Sequence, residues 1–148
     1  MTAKREILIL IADRNPHVRE FLKRELSAEG YRIQLAAHGR EVLRSVFGDD
    51  SLDLLIIDPD FPDSDAVQLL RRIQGRIPAL PVIVHTFQGE VYPRSELQHD
   101  LEVFVEKNGN SIESLKYHVS RMVPGIRARR HSSIEETGLR NPEDVSRR

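Results

Sequence analysis

The chain has 148 residues, of which 39% are hydrophobic, with 22 Lys plus Arg against 23 Asp plus Glu and a formal net charge of -1. A chain of this length buries enough surface to fold as one domain without a disulfide or structural metal, and the absence of Cys removes thiol nucleophiles, disulfide frameworks, Cys-ligated zinc and iron–sulfur clusters. The charge balance argues against a chain whose main task is to coat nucleic acid or anionic membrane.

The first element is the apolar run Glu6-Ile-Leu-Ile-Leu-Ile-Ala12. It is continuous rather than alternating, the pattern of a strand covered on both faces in a parallel sheet. It is also shorter than a signal-peptide core and stops at Asp13, and no run approaches the roughly 18 apolar residues of a membrane span, so a cytoplasmic protein is expected. Asn15-Pro16 supplies an N-cap and a proline at the first helical position, and Val18, Phe21, Leu22 and Leu26 recur at helical spacing up to Gly30.

The alternation then repeats. Tyr31 to Ala36 reads as a second strand, and Gly39 to Phe47, with Val42, Leu43, Val46 and Phe47 on one face, as a second helix. Leu52 to Ile57 is another doubly buried strand ending at Asp58. Asp65 caps a helix carrying Val67, Leu70 and Ile73 before Gly75. Pro81 to Thr86 and Leu101 to Glu106 are the fourth and fifth strands, with a short helix expected between Phe87 and Asp100. Ser111 caps the last helix, which turns Ile112, Leu115, Val119 and Met122 inward.

Five strands alternating with five helices make an α/β fold with a mainly parallel sheet and right-handed crossovers. From Pro124 the composition changes to an aromatic-free stretch, read as a charged, disordered tail over residues 123–148 behind a domain at 5–122. The tail holds six Arg and four acids, which leaves 16 bases against 19 acids in the body. Its Arg127-Ala-Arg129-Arg130 cluster reads as solvated charge.

Four strands finish on polar residues: Asp13, Asp58, Thr86 and Lys107. In open α/β sheets ligands bind outside the carboxyl ends of the strands, so all four lie on the edge where a site forms. Any one of them alone is an ordinary turn or cap residue. His85 lacks a second His at helical or strand spacing and reads as a buried, hydrogen-bonded side chain, and the scattered His residues predict no zinc site.

The segments Ile-Leu-Ile-Ala-Asp13-Arg-Asn-Pro16, Leu-Leu-Ile-Ile-Asp58-Pro-Asp-Phe-Pro62-Asp, Val-Ile-Val-His-Thr86 and Val-Phe104-Val-Glu-Lys107 resemble the receiver domain of bacterial two-component response regulators. The resemblance covers about residues 5 to 122. It implies a flavodoxin-like, doubly wound (βα)5 fold, strand order 2-1-3-4-5. In that order neighbouring strands are about 4.8 Å apart, which sets Asp13 beside Asp58 and leaves Lys107 roughly 10 Å away at the backbone, within reach of its flexible stem.

By the same resemblance Asp58 is the phosphoacceptor, forming an aspartyl phosphate. Asp13, Asp58 and the backbone carbonyl of Asp60 are Mg²⁺ ligands, Thr86 is the hydroxyl that senses the phosphoryl group, and Lys107 is its counter-ion. Phe104 matches an aromatic switch that reports phosphorylation to the face of the fourth helix and fifth strand, or else is a core aromatic. The implied partners are a sensor histidine kinase or phosphotransfer protein, a downstream protein, and a second copy in a homodimer. Direct DNA binding is not expected, and the protein is read as a phosphorelay component rather than an enzyme.

The main departure from the family pattern is Arg14, where most receivers carry a second acid; smaller ones are Asn108 after Lys107, Ala66 and Phe87. A guanidinium there weakens Mg²⁺ binding, and it either points into solvent or pairs with Asp58 or Asp60, lowering their pKa and replacing part of the metal's charge. Two alternatives follow: a phosphorylation-silent receiver-like interaction module, and, more remotely, a phosphohydrolase using Asp58-Pro-Asp60 as an Asp-x-Asp pair, for which the surrounding motif is absent.

Overall fold

A computed structural model describes residues 5–87 and 102–139, and the side chains within them except those of 102 and 131–139. The strands are β1 (Leu8–Ala12), β2 (Arg32–Ala36), β3 (Leu54–Ile57), β4 (Val82–Thr86) and β5 (Glu102–Glu106), and the helices α1 (Pro16–Ala28), α2 (Gly39–Gly48), α3 (Ala66–Gln74) and α4 (Ser111–Leu139). All strand pairs are parallel, in the order β2-β1-β3-β4-β5, as expected. The short helix expected between Phe87 and Asp100 falls outside the described residues.

Every residue of β1, β3 and β4 is buried, because helices cover both faces of the sheet. Leu8, Leu10, Leu55, Ile57, Val82 and Val84 point to the α2 and α3 side, where they meet Val42, Val46, Leu70 and Ile73. Their alternating neighbours Ile7, Ile9, Ile11, Leu54, Ile56 and Ile83 meet Leu22 and Leu26 of α1 and Leu115 and Val119 of α4. Continuous apolar runs are thus divided residue by residue between two cores. Phe21 and Phe47, expected to face inward, are 40% and 49% exposed. Each sits at the margin of its helix's apolar stripe, and Phe21 is covered by the Arg24 guanidinium.

The helix starts follow local chemistry. The side chain of Asn15 accepts from the His17 amide and that of Asp65 from the Gln68 amide. Gly30 takes a left-handed φ of 97° just after α1, where a side chain would be strained. The His38 side chain makes no cap bond to α2. Instead both oxygens of Asp63, from the loop after β3, accept the Gly39 and Arg40 amides. Ser64 of the same loop packs so closely that a Cβ on Gly39 would collide with its hydroxyl.

Two expectations about the last helix are corrected. Ser111 is its first residue rather than its cap, and its hydroxyl donates to the Asn108 carbonyl at 2.9 Å. The helix also does not end near Met122; it passes through Pro124 and continues to Leu139, where a disordered tail was expected. Pro124 removes one i to i−4 hydrogen bond, and tertiary contacts offset the loss. Ile126 is buried, Arg127 Nη1 donates to the Arg5 carbonyl at 3.0 Å, and Arg130 pairs with the buried Asp53 carboxylate. The arginine cluster read as solvated charge is therefore partly a set of anchors. No helix among the described residues is long and apolar enough to cross a membrane.

Candidate functional site

The register of the sheet builds the site. Asp13 and Asp58 follow directly on β1 and β3, and the Asp58 amide bonds to the Ala12 carbonyl at 2.9 Å, setting the two carboxylates side by side. Thr86 ends β4, and its carbonyl accepts the Lys107 amide at 2.7 Å, so Lys107 enters from the far edge. Across that gap the Lys107 ammonium reaches Asp13 Oδ2 at 2.7 Å and Asp58 Oδ2 at 2.8 Å. Two carboxylates far apart in sequence thus converge on one Lys107 nitrogen, within the reach that the strand spacing allowed. Asp13, Asp58 and Thr86 are all buried.

Loop amides complete the arrangement. Asn15 N–H donates to Asp13 Oδ1 at 2.8 Å and Asp60 N–H to Asp58 Oδ1 at 3.2 Å. All four carboxylate oxygens are therefore hydrogen-bonded, which offsets the cost of burying two anions together. Burial pushes Asp58 above the ordinary carboxylate range despite the opposing effect of Lys107, so the expectation of a pKa lowered by Arg14 does not hold for Asp58. At Lys107 burial disfavours the ammonium, but the hydrogen bonds it donates to Asp13 and Asp58 outweigh that and raise the pKa. The Phe87 ring lies 5.1 Å from the same ammonium and closes one side of it.

Arg14 turns outward. Its guanidinium approaches Asp60 Oδ2 at 3.5 Å, with both side chains about half exposed. A cation that the sequence reading missed, Arg19 of α1, donates to the Asp13 carbonyl at 2.7 Å. The only signal for it was its place one turn into a helix that starts beside the site.

Next to Thr86, the His85 ring Nε2 lies 3.0 Å from Ser111 Oγ. Because that hydroxyl already donates to Asn108, it accepts from the ring, which is then the neutral Nε2–H tautomer. Burial, aided by the Lys107 charge, pulls the His85 pKa down to about 4. The expectation of a buried, hydrogen-bonded His is met. Phe104 pairs with Val84 and packs half-buried against the α2 and α3 core.

For a divalent cation the site offers the carboxylates of Asp13 and Asp58 and the Asp60 carbonyl. Both carboxylates already share one ammonium, a guanidinium stands at the mouth, and no cluster of three or more acidic or His side chains suited to a metal occurs among the described residues. This donor set does not fit a resident Mg²⁺ held by the protein alone.

Comparison with known proteins gives a consistent picture. The family model described as "Response regulator receiver domain" matches residues 9–119. The response regulator MprA of Mycobacterium tuberculosis is 35% identical over 88 residues, which is 60% of this chain and 38% of that protein; this chain thus spans well under half the length of the curated relatives it matches. Among solved structures, response regulator protein TrrA from Thermotoga maritima, in complex with Mg²⁺ and BeF, is 31% identical, with a TM-score of 0.65 over 78% of this chain and 98% of that one. A complex of that regulator with the histidine kinase ThkA contains a chain 30% identical, with a TM-score of 0.68 over 78% of this chain and 97% of that one. A CheY-like receiver domain protein from Methanospirillum hungatei shares the fold, at a TM-score of 0.70 and 20% identity over 84% of this chain and 99% of that one.

Proposed function

The chain belongs to the response regulator receiver domain family of two-component signalling, and from that premise we propose that it accepts a phosphoryl group on Asp58 from a histidine kinase or phosphotransfer protein and signals by altered binding to a downstream protein. The observation that carries this reading is the Lys107 ammonium held 2.8 Å from Asp58 and 2.7 Å from Asp13 at the carboxyl edge of the sheet. An attacking carboxylate needs a neighbour that meets the charge on the transferred group, and a positioned ammonium in a water-poor pocket does so.

The chemistry assigned to each residue is simple. An Asp58 oxygen attacks phosphorus, an O–P bond forms, and the P–N bond of a phosphohistidine breaks with its electron pair left on the ring nitrogen. Lys107 then exchanges part of its contact with Asp58 for a phosphoryl oxygen. Thr86, at the end of the adjacent strand, engages another phosphoryl oxygen, and Phe104, on the strand beside it, changes its packing in response. The kinase complex of the 30%-identical relative supports a histidine kinase as donor. Such a device shifts a pre-existing conformational balance, and its output is binding rather than turnover.

Incubation with a small-molecule phosphodonor, read by intact mass, tests the reading. The expected result is an adduct one phosphoryl group heavier that Asp58→Asn abolishes. An adduct that persists in Asp58→Asn, or none in the parent, overturns it.

The contact of Arg14 with Asp60 favours one alternative, a receiver-like interaction module that is silent to phosphorylation. If Arg14→Asp creates Mg²⁺ binding and phosphorylation absent from the parent, the silent reading holds instead.

A further inference from the structure

The acids of the site are matched by cations of the chain itself. Asp13 and Asp58 share Lys107, Asp60 faces Arg14, and Arg19 is fixed on the Asp13 carbonyl. Three carboxylates therefore stand among three side-chain cations, and the cluster is formally neutral as it stands. A divalent ion entering here would face two guanidinium groups and an ammonium, and would have to draw on carboxylate oxygens that each already accept a hydrogen bond. A phosphoryl group, by contrast, brings negative charge into a pocket rich in cationic donors.

These cations differ in how freely they can respond. Lys107 is buried on its two carboxylates, and Arg19 is tied to backbone at 2.7 Å. Arg14 meets Asp60 in an exposed contact at 3.5 Å, longer than a charge-assisted hydrogen bond, and such surface pairs are easily exchanged. Its partner Asp60 is the residue whose amide bonds to Asp58 Oδ1 at 3.2 Å, so the guanidinium is moored to the loop that carries the phosphoacceptor.

Resting on the reading of Asp58 as phosphoacceptor, we propose that Arg14 is a phosphoryl ligand: it leaves Asp60 when the phosphoryl group arrives, takes two of its oxygens in a forked contact, and allows Asp58 to be phosphorylated without a divalent cation. With zwitterionic phosphoramidate as donor, the Asp58 oxygen bonds to phosphorus and the P–N bond breaks with its electron pair on nitrogen. The leaving group departs as ammonia, so no further proton or co-reactant is required. The forked geometry is specific to a guanidinium, since a lysine offers only a point charge.

The test uses the full chain and phosphoramidate, with Mg²⁺ or with EDTA, and follows the adduct by intact mass. Calorimetric titration of Mg²⁺ into the parent and into Arg14→Asp gives a second readout. The expected result is that the parent forms the adduct in EDTA at a rate close to that in Mg²⁺. Arg14→Gln should slow the EDTA reaction by roughly 100-fold, the usual effect of removing one donor from a transition-state oxyanion, and Arg14→Lys should recover part of it. Mg²⁺ should bind Arg14→Asp more tightly than the parent. An adduct that forms in the parent only with Mg²⁺, or an EDTA rate unchanged in Arg14→Gln, overturns the proposal and leaves Asp58 as phosphoacceptor. No adduct under either condition overturns both.

Discussion

At the scale of single residues, Lys107 keeps two buried carboxylates from repelling each other. Removing one partner of a buried ionic cluster leaves uncompensated charge, which typically costs about 3 kcal/mol or more. Lys107→Met should therefore lower stability by about that amount at neutral pH, and by less at acid pH, where Asp58, whose pKa burial raises, takes up a proton; urea unfolding at neutral and acid pH measures the difference. In the parent, the raised Lys107 pKa gives a contribution that is complete below 10.5 and is lost as pH rises through the higher folded value.

His85 works in the opposite sense. Its pKa is about 4 in the folded protein against 6.5 for the free side chain, so between those values the unfolded chain binds more protons and stability rises with pH. The loss from pH 6.5 down to 4 amounts to as much as about 3 kcal/mol by linkage. His85→Gln should flatten that part of the pH profile in chemical denaturation, and an unchanged slope would mean that other groups set the acid limit. The strand-end acids, threonine and lysine were legible in the sequence because each ends an apolar run on one edge of the sheet. The outward turn of Arg14 and the Arg19 bond were not, since side-chain direction depends on neighbours from other elements.

At the scale of elements, strands and helix starts were readable from local chemistry: continuous apolar runs, Asn15-Pro16 and Asp65. The end of α4 was misread because Pro124 is a local stop signal, whereas the contacts that carry the helix past it are distant. Asp53 lies 77 residues from Arg130, and its carboxylate also accepts the Leu8 amide at 2.8 Å. Arg130→Ala leaves that buried carboxylate with less compensation and should cost about 1–3 kcal/mol, read as a lower denaturation midpoint. Ending the chain after Met122 would also expose the Ile126 pocket and should destabilise more than Arg130→Ala. α2 shows the same dependence on distance, since its amino end is capped by Asp63 from another loop.

At the scale of the whole molecule, five parallel strands with two apolar faces place Asp13, Asp58, Thr86 and Lys107 on one edge and meet the Arg127 and Arg130 anchors of α4 at the opposite one. The strand order itself came from the family resemblance, because periodicity names elements without ordering them. α4 is fastened at both levels: Ser111 to His85 beside Thr86, and Arg130 to Asp53 at the start of β3. At about 1.5 Å per residue the interval between those two fastenings is roughly 28 Å of helix, a strut running past the depth of the sheet. A strut pinned at both ends does not fray turn by turn. Its amides from Leu115 to Ile126 should therefore exchange hydrogen for deuterium together with those of β1 and β3, at the rate of global opening, and Arg130→Ala should split this single exchange unit so that the distal turns release first.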